Sequence, residues 1–72
     1  MNRADLTNRQ LDILEYIEAY VEERHYPPSW RDIARHFSFA STNTVHSHLV
    51  LLYKKGAVTW EPKRFRTLRV IA

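Results

Sequence analysis

Residues 29–56 read SWRDIARHFSFASTNTVHSHLVLLYKKG, and this stretch decides the fold. Ser29, with Asp32 three residues on, has the form of a helix-opening capping box in which Asp stands in for Glu. Ile33, Ala34 and Phe37 then fall at i, i+1 and i+4, so a short helix of about two turns packs inward there. Ser38-Phe39-Ala40 makes a connection too short for a free loop. Ser41 reads as the N-cap of the next helix, with Thr42 as the alternative cap. Val45, His48, Leu49 and Leu52 repeat at i, i+3, i+4 and i+7 and define the core side of that helix. Lys54 and Lys55 stand in its last turn, where cations complement the helix dipole, and Gly56 is a left-handed stop.

Upstream, Thr7 followed by Gln10 is a second capping box, with Leu6 just before it. Leu11, Ile13, Leu14, Tyr16, Ile17, Tyr20 and Val21 follow at spacings of three and four, which predicts a helix with one broad buried face. Asp12, Glu15, Glu18, Glu22 and Glu23 mostly occupy its other side. The helix should end near His25, because Pro27 and Pro28 disfavour helical geometry just before them. Downstream the period changes. Ala57-Val58-Thr59-Trp60 and Thr67-Leu68-Arg69-Val70-Ile71 favour strands, and the polar, basic Glu61-Pro62-Lys63-Arg64-Phe65-Arg66 lies between them. An antiparallel hairpin with a basic tip is expected, with Leu68 and Val70 facing the helices and Thr67 and Arg69 outward. A lone hairpin is unstable, so it must dock on the helices. The fold class is therefore α+β, a three-helix bundle with a two-stranded antiparallel β-hairpin wing: a winged helix-turn-helix, in one domain over residues 1–72.

Composition bounds the possibilities. The chain has 72 residues, 44% hydrophobic and 26% charged, and no cysteine. Disulfides and cysteine-based zinc sites are excluded, so apolar burial alone must supply the core. No apolar run reaches the roughly 18–20 residues of a membrane helix, and the polar start MNRADLTNRQ does not read as a secretory signal, so a cytoplasmic protein is expected. Residues 1–28 hold three arginines against six acids; residues 29–56 hold four cations against one acid, as do residues 57–72. Such a dipolar molecule offers one face to a polyanion.

On the third helix, about 100° per residue with Val45 inward leaves Asn43, His46, Ser47 and Val50 on the opposite or flanking side. Asn suits a bidentate contact to adenine, Ser and Thr bond several bases, and Thr44 and Val50 suit a thymine methyl. No carboxylate on this face repels phosphate. The expected base-reading set is Ser41, Asn43, Thr44, His46, Ser47 and Val50. Expected phosphate contacts are Lys63, Arg64 and Arg66 of the hairpin, Ser29, Trp30 and Arg31 at the start of the second helix, and Arg9 and Lys54. The alternative for each is a solvated polar side chain, or for Trp30 a packing residue. Of the four histidines, His46 and His48 point about 160° apart on a helix. His25 and His36 lie near separate helix ends, and no H-E-x-x-H occurs, so neither metal, cofactor nor enzymatic activity is expected.

Taken together, LTNRQLDILEYIEAY, YPPSWRDIARHFSF and STNTVHSHLVLLYKKGAV resemble the N-terminal winged helix-turn-helix domain of LexA-type SOS repressors, from about Leu6 to Val70. The resemblance implies sequence-specific binding of double-stranded DNA and transcriptional repression. It also implies that Ser41, Asn43, Thr44, His46 and Ser47 occupy the family's base-reading stretch. Ser41 and Asn43 match there, whereas His46 and Ser47 stand where many relatives carry acidic residues, so the operator need not be the usual one. Ser38 replaces a frequent glycine in the turn, and a left-handed conformation there costs on the order of 1 kcal/mol. LexA-type repressors carry a second domain that dimerises and cuts its own chain with a serine-lysine pair. Only two residues follow Val70 here, so self-cleavage is not expected, and Ser29, Ser38, Ser41 and Ser47 do not read as nucleophiles. An excised domain and a free-standing small regulator both fit.

The expected partner is double-stranded DNA, with a homodimer on a two-fold site as one arrangement, and no membrane. The competing class is a protein-interaction module, such as an antirepressor, using the acidic first helix. Val50 and Leu51 are the apolar residues left for a partner, although packing against the first helix or the wing is the stronger expectation for Leu51.

Overall fold

A computed structural model describes residues 3–62, 64 and 67–71. A short 3-10 turn over Arg3–Asp5 leads to α1 (Asn8–Arg24), α2 (Trp30–His36) and α3 (Thr42–Lys54). Strands β1 (Val58–Thr59) and β2 (Arg69–Val70) follow and pair antiparallel, Val58 opposite Val70 and Thr59 opposite Arg69.

Both expected capping boxes form. The Gln10 N–H donates to Thr7 Oγ1 (3.2 Å) while the Thr7 N–H donates to Gln10 Oε1 (3.0 Å). The Asp32 N–H donates to Ser29 Oγ (3.0 Å) while the Ser29 N–H donates to Asp32 Oδ2 (3.0 Å). Each box satisfies donors that a helix start otherwise leaves unpaired. The α1 helix ends at His25, which takes a left-handed backbone (φ 65°).

Ile13, Leu14 and Ile17 of α1, Ile33 and Ala34 of α2, and Val45, Leu49 and Leu52 of α3 form one core with Leu6. Ala57, Val58 and Leu68 close it from the hairpin side. The hairpin is thereby docked by burial, which a ladder of two residues per strand could not achieve alone.

Four expectations change. The buried face of α1 stops at Ile17: Tyr20 is half-buried and Val21 is 37% exposed. Beyond Ile17 the side chains of α1 leave the core, and Tyr20 instead donates its hydroxyl to Asp32 near the start of α2 (3.2 Å). Leu51 is not buried but 48% exposed. Helical rotation carries it about 120° from the line of Val45, Leu49 and Leu52. The strands are shorter than Ala57–Trp60 and Thr67–Ile71 suggested. The Glu61 N–H donates to Thr67 Oγ1 (2.8 Å) and that hydroxyl donates back to the Glu61 carbonyl (3.2 Å), so a side chain takes the place of ladder bonds. Lys55, finally, does more than complement the dipole of α3. Its ammonium donates to Gln10 Oε1 (2.8 Å) and to the Asp5 carbonyl (3.1 Å), tying the end of α3 to the start of α1.

Ser38 does adopt the left-handed backbone (φ 58°). The Phe39 N–H then donates to the Ala34 carbonyl (2.8 Å), closing the C-terminus of α2 and setting the direction in which α3 departs.

Candidate nucleic-acid interface

The α3 helix turns Val45, Leu49 and Leu52 fully into the core. Rotation then sends Asn43, Ser47 and Lys54 to the opposite side, where all three are exposed, with Val50 half-buried beside them. The Ser47 hydroxyl donates to the Asn43 carbonyl (3.1 Å), which leaves its oxygen lone pairs outward as acceptors. Ser41 occupies the N-cap position, but its side chain makes no capping hydrogen bond, and the residue is exposed. The expected cap is thus one of backbone geometry only: Ser41 is extended (φ −155°), and its hydroxyl is left out of the first turn.

The two edges of α3 differ. On one, Thr44 and His48 are half-buried, and His48 stacks on Phe39 (5.2 Å, 18°). The Arg9 guanidinium lies over Phe39 (5.7 Å) and Phe37 (5.5 Å), so the first turn of α1 brings a cation beside this edge. His48, expected on the core side, is packed there by its stack on Phe39 but stays half-buried, outside the fully buried line of Val45, Leu49 and Leu52. The other edge carries exposed Thr42 and His46 and faces the hairpin. There an open groove of about 680 Å³ runs between the start of α2, the first half of α3 and the hairpin. Trp30, Arg31, Thr42, His46, Trp60 and Arg64 line it.

Arg31 is exposed at the mouth of this groove. Arg64 forms an ion pair with Glu61 (3.3 Å) in which both side chains are mostly in water (74% and 62% exposed). An exposed pair of this kind is worth little, so a phosphate can displace it. Trp30 is half-buried and meets Trp60 edge to face (5.5 Å, 89°). Ser29 is occupied: its hydroxyl and its N–H both serve the capping box, and the Asp32 carboxylate sits at the same helix start. That carboxyl is held below its ordinary value chiefly by the Ser29 N–H, then by the Ser29 hydroxyl and Tyr20. A carboxylate there opposes an incoming anion, so the basic side chains rather than the helix start carry the charge of this edge. Lys63 and Arg66 lie outside the described residues.

Trp60 and Tyr53 belong to this surface and were missed from sequence. Tyr53 packs on Trp60 (5.2 Å, 61°). The signals were present: Tyr53 is i+7 from His46 on one helical stripe, and Trp60 shares the strand face of buried Val58. On the far side of α1, Tyr16 stacks on His36 (4.1 Å) and the Tyr20 hydroxyl donates to Asp32 (3.2 Å). Burial first, and Asp32 second, raise both tyrosines above their ordinary value. Among the described residues no three His, Cys, Asp or Glu gather as metal ligands, and no helix is long and apolar enough to cross a membrane.

Comparison with known proteins agrees with this geometry. Residues 3–67 match the family model of the LexA DNA binding domain. The chain is 42% identical over 66 residues to proteins named LexA repressor from Bacillus mycoides (strain KBAB4) and Bacillus anthracis, covering 92% of this chain and 32% of theirs. It thus spans about a third of the length of those relatives. A helix-turn-helix held in this way, followed by a docked hairpin and matched across nearly all its length, makes the chain a member of the LexA DNA-binding domain family.

Proposed function

We propose that this domain binds double-stranded DNA sequence-specifically and acts as a transcriptional repressor. The carrying observation is the outer side of α3, where Asn43, Ser47 and Lys54 are exposed, flanked by Arg9 on one edge and by Arg31 and Arg64 on the other. Asn43, His46, Ser47 and Val50 read base edges in the major groove, with Ser41 and Thr44 at the helix start. Arg9, Arg31, Lys54 and Arg64 hold the phosphates on either side, joined by Lys63 and Arg66 of the hairpin and with Trp30 supplying an indole edge. Repression follows from occupancy: a bound domain excludes polymerase, as the name of the Bacillus relatives suggests for this chain. The domain supplies binding and no chemistry of its own. Two copies on a two-fold site, spaced by turns of the duplex, give the specificity that one half-site lacks.

Selection of duplexes from a random pool by the purified chain tests this. With about three to five phosphates neutralised per chain, log K should fall against log salt with a slope of roughly −3 to −4.5. Enrichment of a defined sequence together with such a slope supports the reading. A slope near zero, or capture of cellular proteins without selection of any duplex, overturns it in favour of a protein-interaction module.

A further inference from the structure

Trp60 touches three other rings at the root of the hairpin: Trp30 (5.5 Å, 89°), Tyr53 (5.2 Å, 61°) and His46 (6.3 Å, 68°). All three contacts fall in the favourable edge-to-face range. Trp30 and Trp60 are half-buried and pack against the core, so this indole is fixed from behind. His46 is exposed and leans on it from α3. A solvent-facing imidazole on a helix ordinarily samples several rotamers; one braced against a fixed indole samples fewer. A side chain already in place loses less freedom on binding and discriminates more sharply.

The chemistry of the ring sets what it selects. An imidazole N–H donates a hydrogen bond. In the major groove guanine presents two adjacent acceptors, N7 and O6; adenine presents an acceptor beside a donor, thymine an acceptor beside a methyl, and cytosine a donor. A braced N–H donor meets an acceptor anywhere along the guanine edge and a competing donor on adenine and cytosine. The two imidazole nitrogens lie on separate edges, so the ring offers a base its N–H alone, whereas Asn43 presents a donor and an acceptor side by side and complements adenine instead. The exposed outer ridge of α3 carries no carboxylate to accept from cytosine N4.

The geometry points to His46 as the residue that selects a guanine in the operator, and to Trp60 as the positioning residue that holds its imidazole for that contact; the inference rests on the DNA-binding reading above. Trp60 acts through His46 rather than on the base.

The test is random-pool selection with the wild-type chain and with His46→Ala, His46→Glu, Trp60→Ala and Trp60→Phe, each checked for folding by circular dichroism. The wild type should enrich guanine at one position. His46→Ala should lose about five- to tenfold discrimination there, and His46→Glu should move the preference to cytosine. Trp60→Ala should weaken discrimination at that same position and have no further effect there in the His46→Ala background. Trp60→Phe, which keeps a ring, should preserve it. A tryptophan that only supports the fold would lower affinity for all duplexes alike. If Trp60→Ala does not fold, the phenylalanine variant and the His46 variants decide, since His46 is exposed. A chain that selects a sequence but keeps every preference after His46→Ala overturns this inference alone. A chain that selects no duplex overturns the DNA-binding reading with it.

Discussion

Ser38→Gly is expected to stabilise the protein. Ser38 has φ 58°, a region in which a Cβ crowds the following carbonyl. That crowding costs roughly 1–2 kcal/mol for an L residue. Glycine removes it but adds freedom to the unfolded chain, which offsets about 0.5–1 kcal/mol. The net gain is about 0.5–1 kcal/mol, and for a domain of this size about 2–8 °C in Tm. The position is exposed, and the bond that shapes the turn, Phe39 N–H to the Ala34 carbonyl at 2.8 Å, uses neither its side chain nor its amide. Nothing else in the turn must therefore move. Thermal unfolding followed by circular dichroism measures the effect, with Ser38→Ala as the control that keeps the Cβ. The glycine variant should melt higher than both the alanine variant and the parent, and DNA affinity should not change. Equal gains from alanine and glycine, or a loss with glycine, would refute the backbone argument.

Four further outcomes are expected. Lys55→Met should destabilise the domain by about 1–2 kcal/mol in urea unfolding, because it removes charged donors from Gln10 Oε1 and the Asp5 carbonyl. Asp32 has its carboxyl held below the ordinary 3.8, so its stabilisation is present above the unfolded value and disappears as pH falls through the lower folded one; Asp32→Asn should flatten the acid limb of a stability-versus-pH curve in that window. Asn43→Ala should relax preference at one operator position by about 1–3 kcal/mol in a competition gel shift, while Arg64→Ala weakens all duplexes about equally and flattens the salt slope by about one unit.

Local signals in the sequence were enough for most of the fold. Thr7/Gln10 and Ser29/Asp32 mark where helices begin because a capping box is satisfied within four residues. Gly56 (φ 77°) ends α3 for an equally local reason. The repeat of Val45, Leu49 and Leu52 was enough to orient α3, and with it the outward direction of Asn43 and Ser47, since helical rotation alone relates those positions. What depended on contacts between distant segments was not legible. Leu51 looked apolar enough to be buried, but it stands about 120° round α3 from Val45 and is left 48% exposed, which depends on how closely other segments approach that side. Lys55 looked like a dipole complement until α1 and α3 met at Gln10. Trp60 could be given a strand face but not the company of Trp30, Tyr53 and His46, which come from two other elements. The sequence by itself determined the order of the elements, their caps and the polar outer ridge of the third helix, because neighbouring residues settle those. Only the tertiary structure decided on which edge of that ridge Arg9, Arg31 and Arg64 stand and which ring braces His46, because those neighbours are assembled by core burial rather than by proximity along the chain.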